Sequence, residues 1–133
     1  MQLTTRSLSL LTSLHPDLRA VVMKAAENAT TPFIVTETSR TTARQKQLFD
    51  AGASKTMKSR HIPSCNQCNQ ACAVDLAAVV AGQIRWDWPL YALLAAQMKE
   101  AAQSLNQPIE WGGDWNGGFK DGPHFQLKWS DYP

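Results

Sequence analysis

Three residues in this sequence have the chemistry to hold a metal ion, and a fourth has the chemistry to work beside one. The histidines are His15, His61 and His124. His61 ends the polar run Ser59-Arg60-His61, and His124 follows Asp121-Gly122-Pro123. Asp75 lies inside the apolar run Ala73-Val74-Asp75-Leu76-Ala77. If that run is a strand, alternation puts Asp75 on one face with Ala73 and Ala77, and Val74 and Leu76 on the other. A carboxylate among small residues, on a strand whose other face is apolar, needs a partner, and a cation is a good one. Two imidazoles and one carboxylate are a common ligand set for catalytic zinc, and they leave a fourth position for water. Zinc lowers the pKa of such a water and polarises a carbonyl. A second carboxylate, near the metal but not bound to it, can take the water's proton and pass it to a leaving amine. Asp121, fixed three residues before His124 by a Gly-Pro turn, suits that work; Glu37, Glu110 and Asp114 are rivals for it. Spacing alone leaves a second reading, in which these side chains are hydrogen-bonded structure.

The cysteines open another possibility. Cys65, Cys68 and Cys72 follow His61 closely, in the order His61-x3-Cys65-x2-Cys68-x3-Cys72. This could form a second, structural zinc site, or draw His61 away from the first. Three is an odd number for a disulfide framework, and free thiols in a loop are the plainest account. His15, next to Pro16, reads as a helix-entry residue.

The elements that must position these groups follow from periodicity. Leu18, Val21, Val22, Ala25 and Ala26 form an apolar stripe, so residues 16–28 are predicted as a helix with Pro16 in its first turn. Residues 33–38 are predicted as a strand. Thr41 or Thr42 can cap a second helix that reaches Ala51 and stops at Gly52. A polar loop over residues 53–71 leads to a strand over 72–80. Ala81-Gly82 turns the chain into a returning strand over 83–86. Asp87 can cap a third helix with Pro89 in its first turn, and Leu90, Leu94, Met98, Ala101 and Leu105 line one face of it. Short strands are predicted over 109–111 and 124–128. Helices with mostly hairpin-connected strands imply an α+β domain around an antiparallel sheet.

Composition narrows the class. Of 133 residues, 44% are hydrophobic and 18% charged, which allows one buried core and argues against disorder. A single domain over residues 1–133 is expected. The net charge of +2, with no basic stripe, argues against a nucleic-acid binder. No apolar run approaches the length of a membrane span. Residues 1–14 lack a small-residue cleavage site, so they do not read as a secretory signal, and a cytoplasmic site of synthesis is expected.

Taken together, several motifs carry a resemblance. Ser59-Arg60-His61, Ala73-Val74-Asp75-Leu76, Trp111-Gly112-Gly113-Asp114-Trp115 and Asp121-Gly122-Pro123-His124-Phe125 resemble the VanY-type D,D-carboxypeptidases. They resemble more closely the phage endolysins with L-alanyl-D-glutamate endopeptidase activity. Ser39-Arg40-Thr41, Ala43-Arg44-Gln45 and Ala51-Gly52-Ala53-Ser54-Lys55-Thr56 add to the likeness, which covers about residues 14–127. It implies the fold of the D-Ala-D-Ala peptidases and the hedgehog signalling domain. It implies Zn2+ held by His61, Asp75 and His124, with Asp121 as general base and acid. Arg40 and Gln45 match positions beside the substrate, where an Arg could bind a stem-peptide carboxylate or an oxyanion. Ser59 is expected to support the ligand loop or meet substrate, and Trp115 to line the groove. The sequence departs from relatives in one place: six residues usually separate the first His from the Asp, whereas thirteen do here, all three cysteines among them. Loop length is tolerated cheaply, so the anchors need not move.

The expectation is therefore a monomeric zinc peptidase of peptidoglycan, with no nucleic-acid or membrane partner and no separate wall-binding domain. It would cut between L-Ala and D-Glu after release from the host cytoplasm by a separate holin. The alternatives are a D-Ala-D-Ala carboxypeptidase and a non-catalytic zinc-containing binding module of the same fold.

Overall fold

The apolar run around Asp75 forms the central strand of the molecule. The computed structural model describes residues 1–54, 56, 59–63, 70–116 and 119–133. In chain order the described elements are α1 (Thr5–Leu11), α2 (Pro16–Glu27), β1 (Phe33–Glu37), α3 (Thr42–Asp50), β2 (Ala73–Val80), β3 (Gln83–Arg85), α4 (Trp88–Ser104), β4 (Glu110–Trp111) and β5 (His124–Gln126). A 3-10 turn, Gly112–Asp114, follows β4. The sheet runs β1-β2-β5-β4, with β3 also paired to β2, and every pairing is antiparallel. This is the expected α+β architecture.

Alternation along β2 sorts its side chains as the sequence implied. Val74, Leu76 and Ala78 join the core with Leu18, Val21 and Val22 of α2 and Leu94 and Met98 of α4. Asp75 takes the opposite face and is only partly buried. Ala81-Gly82 makes a two-residue hairpin with φ of 52° and 78°, the geometry that keeps the right-handed strand twist.

Several boundaries differ from the predicted ones for physical reasons. Thr5–Leu11 is a helix that periodicity did not reveal, because it is seven residues long and rich in Ser and Thr. It is held by tertiary bonds instead: Thr4 caps it through the Ser7 N–H, and Ser7 Oγ accepts the Val35 N–H at 3.0 Å. The buried face of α4 is Tyr91, Leu94, Ala95, Met98, Ala101 and Ala102, so Leu105 lies exposed rather than on the core stripe. Asp87 precedes α4 but makes no side-chain cap, because its carboxylate pairs with Arg85. Thr41 does cap α3, accepting the Arg44 N–H at 3.0 Å.

Candidate metal centre

Strand register builds half of the site. Asp75 is paired across the sheet with His124 of β5, and on its other side with Glu37, where a bulge shifts the register of β1. The other half comes from a loop. Residues 59–63 are stitched to the body by Arg40 N–H to the His61 carbonyl at 2.8 Å, Cys72 N–H to the Arg60 carbonyl at 2.9 Å, and His61 N–H to Ser59 Oγ at 3.2 Å.

These elements bring His61, Asp75 and His124 together, with one ligand atom from each lying within 4.8 Å of the others. His61 Nε2 is 3.1 Å from Asp75 Oδ1, and His124 Nδ1 is 3.2 Å from the same oxygen. The two rings meet edge to face at 5.0 Å. Their outer nitrogens have partners as well: His61 Nδ1 lies 2.7 Å from the Thr38 carbonyl, and His124 Nε2 lies 2.7 Å from Gln126 Oε1. Since a carbonyl can only accept, His61 donates from Nδ1 and keeps the Nε2 lone pair for the centre. Such outer bonds orient metal-binding imidazoles. The donor set therefore fits a divalent metal.

The electrostatics follow from burial and proximity. Burial alone would raise the Asp75 carboxyl, but the His61 and His124 imidazoles outweigh it and hold the group well below the usual carboxylate range. Burial works against a charged His124, yet the hydrogen bond and charge of Asp75 raise it overall. Asp121 stands just outside the triad, with Oδ2 3.9 Å from His124 Nδ1. Its carboxyl is raised by burial first and by the charge of Asp75 second. A glycine sets its approach: a Cβ on Gly112 would fall 2.3 Å from the Asp121 carbonyl oxygen, and Asp121 N–H bonds the Gly112 carbonyl at 3.1 Å.

A cavity of about 530 Å³ opens over these groups, and Arg40, Ser59, Trp115 and Asp121 line it with the triad. Arg40 pairs there with Glu37, while its Nη1 donates to Gln45 Oε1 at 2.7 Å. Gln45 itself is wholly buried and does not line the cavity. It was expected beside the substrate; its amide instead spans Arg40 and Ser54, so it holds the cavity wall from behind. Trp115 leans over His124 with ring centres 5.1 Å apart and stacks on Phe119.

The rivals to Asp121 are otherwise engaged. Asp114 is ion-paired with Lys99 at 2.8 Å, away from the cavity. Glu110 accepts from Trp115 Nε1 at 2.9 Å and from Gln126 Nε2 at 3.1 Å. Cys72 is a buried free thiol in the hydrophobic core, while Cys65 and Cys68, the other thiols of the expected cysteine metal set, lie outside the described residues. His15 caps α2 through Nδ1, as a helix-entry residue would.

Sequence reasoning missed Gln126 and Arg60. Gln126 lies two positions after His124 and so on the same strand face, a signal that was present in the sequence. Arg60 is buried with Trp129 over its guanidinium at 4.0 Å and Nη2 donating to the Tyr132 carbonyl at 2.7 Å. Nothing in its neighbours along the chain announced that.

Residues 1–128 match the profile of a family described as phage L-alanyl-D-glutamate peptidase. The L-alanyl-D-glutamate peptidase of Listeria phage A118 is 32% identical over 131 residues, which cover 96% of this chain. The chain spans 43% of that relative's length. The crystal structure of the Serratia marcescens L-Ala D-Glu endopeptidase ChiX is similar at a TM-score of 0.87 and 41% identity, over 100% of this chain and 94% of that one. The likeness thus runs through both strands and the loop that carry the triad, and the chain belongs to the phage L-alanyl-D-glutamate peptidase family.

Proposed function

We propose that this chain is a zinc-dependent peptidoglycan endopeptidase that hydrolyses the bond between L-Ala and D-Glu of the stem peptide, acting as a phage endolysin. The observation that carries the reading is the His61–Asp75–His124 cluster with Asp121 beside it, at the floor of an open cavity. The names of the family and of both relatives support the choice of bond.

His61 Nε2, Asp75 and His124 Nδ1 would hold the zinc. When bound, zinc supplies Lewis acidity, which acidifies water and polarises a carbonyl. Asp121 takes the proton of the attacking water on a carboxylate oxygen and delivers it to the amine nitrogen of the departing D-Glu. Its raised pKa suits a group that must both accept and return a proton. Arg40, shared with Glu37 on the cavity wall, offers a cation to a stem-peptide carboxylate or to the developing oxyanion. Trp115 and Phe119 form an aromatic wall against which the peptide lies. In this reading the enzyme works as a monomer on the cell wall after a separate holin releases it from the host cytoplasm. Among the described residues no helix is long and apolar enough to cross a membrane.

Mass analysis of fragments from purified peptidoglycan tests the reading. The expected products carry a free L-Ala carboxyl on the glycan side and a new D-Glu amino terminus on the peptide side. Release of terminal D-Ala alone would make the chain a carboxypeptidase. Intact peptidoglycan after incubation with a zinc-loaded protein would make it a binding module.

A further inference from the structure

Two tryptophans outside the cavity are left half in water. Trp86 is 52% exposed and Trp88 49%, and they flank Asp87, whose carboxylate pairs with Arg85. Val80, Ile84 and Leu93 are exposed hydrophobics on the same hairpin and the start of α4. A concentration of exposed apolar side chains marks a surface that meets something. Register puts this one next to the metal centre. β1 takes one edge of β2, and β5 and β3 share the other: His124, the first residue of β5, is opposite Asp75, and Arg85, the last of β3, is opposite Ala78. The two strand ends are three residues apart along β2, about 10 Å. Trp86 therefore leaves β3 close to where the Asp121-Gly122-Pro123 turn enters β5. Side chains close the gap. The Trp88 ring meets Tyr91 edge to face at 5.2 Å, and Tyr91 packs so tightly on the turn that a Cβ on Gly122 would fall 2.3 Å from its ring.

We propose that Trp86 and Trp88 form a saccharide subsite, which holds the glycan strand while its stem peptide occupies the cavity. The subsite rests on the endopeptidase reading for the place of that peptide. The geometry of the substrate then demands a sugar nearby. One L-Ala residue, about 3.5 Å of extended chain, and a short lactyl ether are all that separate the scissile bond from the sugar ring. An enzyme that cuts there meets the glycan within about 10 Å of the metal centre, the distance at which β3 delivers Trp86. The chemistry fits as well. A pyranose ring has a face of C–H bonds and a rim of hydroxyls. An indole offers an apolar, electron-rich face to the first and an N–H donor to the second. Arg85 and Asp87 add a donor and an acceptor at the same place. That ion pair also disfavours the other occupants of an apolar patch. A bilayer or the apolar face of a second copy would strip water from both charges, whereas a sugar replaces that water with hydroxyls.

One measurement of binding and one of turnover test the subsite. In the first, peptide-free glycan strands of alternating N-acetylglucosamine and N-acetylmuramic acid are titrated into 15N-labelled, zinc-loaded protein. The indole N–H signals of Trp86 and Trp88 should shift, and Trp86→Ala should weaken binding about 10-fold, the cost of one lost ring contact. In the second, kcat/KM is compared on a stem tetrapeptide that carries its disaccharide and on the same tetrapeptide without sugar. The ratio of the two should fall about 10-fold in Trp86→Ala, through KM rather than kcat, and at least as far in Trp88→Ala. Trp88 also packs on Tyr91, so Trp86→Ala carries the test if Trp88→Ala fails to fold. Indole signals unmoved by glycan would overturn the proposal, as would an unchanged ratio in folded Trp86→Ala. Signals that respond only to phosphatidylglycerol vesicles, or only to protein concentration, would also overturn it and give the patch to a bilayer or to a second copy. Glycan binding by a protein that cleaves neither substrate would overturn the endopeptidase reading and leave the subsite standing. Cleavage of both substrates at a ratio that Trp86→Ala does not move would do the reverse.

Discussion

Two regions hold the triad in different ways. Asp75 and His124 are cross-strand partners, so the sheet's own hydrogen bonds fix their separation. His61 lies on a loop and reaches the same oxygen of Asp75 only because Thr38, Arg40, Cys72 and Ser59 each anchor a neighbouring group. The sheet half is stabilised by the whole core, the loop half by a handful of bonds worth about 0.5–1.5 kcal/mol each. The sheet half can thus carry the invariant geometry, while the loop half absorbs a long insertion. That is how thirteen residues between His61 and Asp75 are accommodated without separating the two side chains.

The largest effect should come from the shared oxygen. Asp75→Ala leaves two imidazoles facing each other with no carboxylate between them. It should abolish stoichiometric metal and, with it, peptidoglycan cleavage, whereas His61→Ala on the loop should leave some metal on the sheet pair. Equal metal loss in the two variants, measured by elemental analysis, would erase the distinction between the halves.

Asp121→Asn comes next. It keeps shape but removes the base, so a folded, metal-loaded protein should lose at least ~10²-fold in turnover. If Asp121 is only a turn residue, Asn should replace it almost silently. Lost metal would instead make it a ligand.

Removing the metal altogether should expose the sheet half's own charge pair. In the metal-free protein His124 has a raised pKa, so its contribution to stability is complete below the ordinary imidazole range and is lost as pH climbs through the raised value. The melting temperature of chelator-treated protein should therefore fall as pH rises through that window. The metal-loaded protein should not follow it, because metal binding needs the neutral imidazole. Parallel curves would refute this.

Ser59→Ala should have the smallest effect. It removes the acceptor for the His61 N–H, a single bond of the loop half, so metal affinity should weaken by only a few-fold and stability by about 1 kcal/mol. A larger loss in equilibrium dialysis would mean that the loop depends on one anchor rather than several.

How much of this was legible in the sequence depended on the distance over which each signal acts. Asp75 announced itself because a charge inside a strand breaks a period-two pattern that is read locally. Thr41, Gly82 and Pro16 did so because caps and turns are matters of adjacent residues. The set of His61, Asp75 and His124 as ligands came from resemblance, since spacing alone left a structural alternative open. Gln45 was misplaced because nothing local distinguishes a side chain that meets substrate from one that holds Arg40 from behind. Thr5–Leu11 was missed because its helix depends on bonds to β1 rather than on its own propensity. The fold of Arg60 over Trp129 joins residues far apart in sequence, and no periodicity reports such a pair.

The cross-strand pairing of Asp75 with His124 also bears on the order in which the chain folds. The two residues are 49 positions apart, and they meet only when β5 docks on β2. A contact between residues so far apart in sequence forms slowly, so the pairing does not template collapse in the manner of a zinc finger, whose ligands sit within a few turns of chain. The ion would arrive after the sheet is complete, and it would stabilise the finished domain by mass action on the native state rather than by speeding its formation.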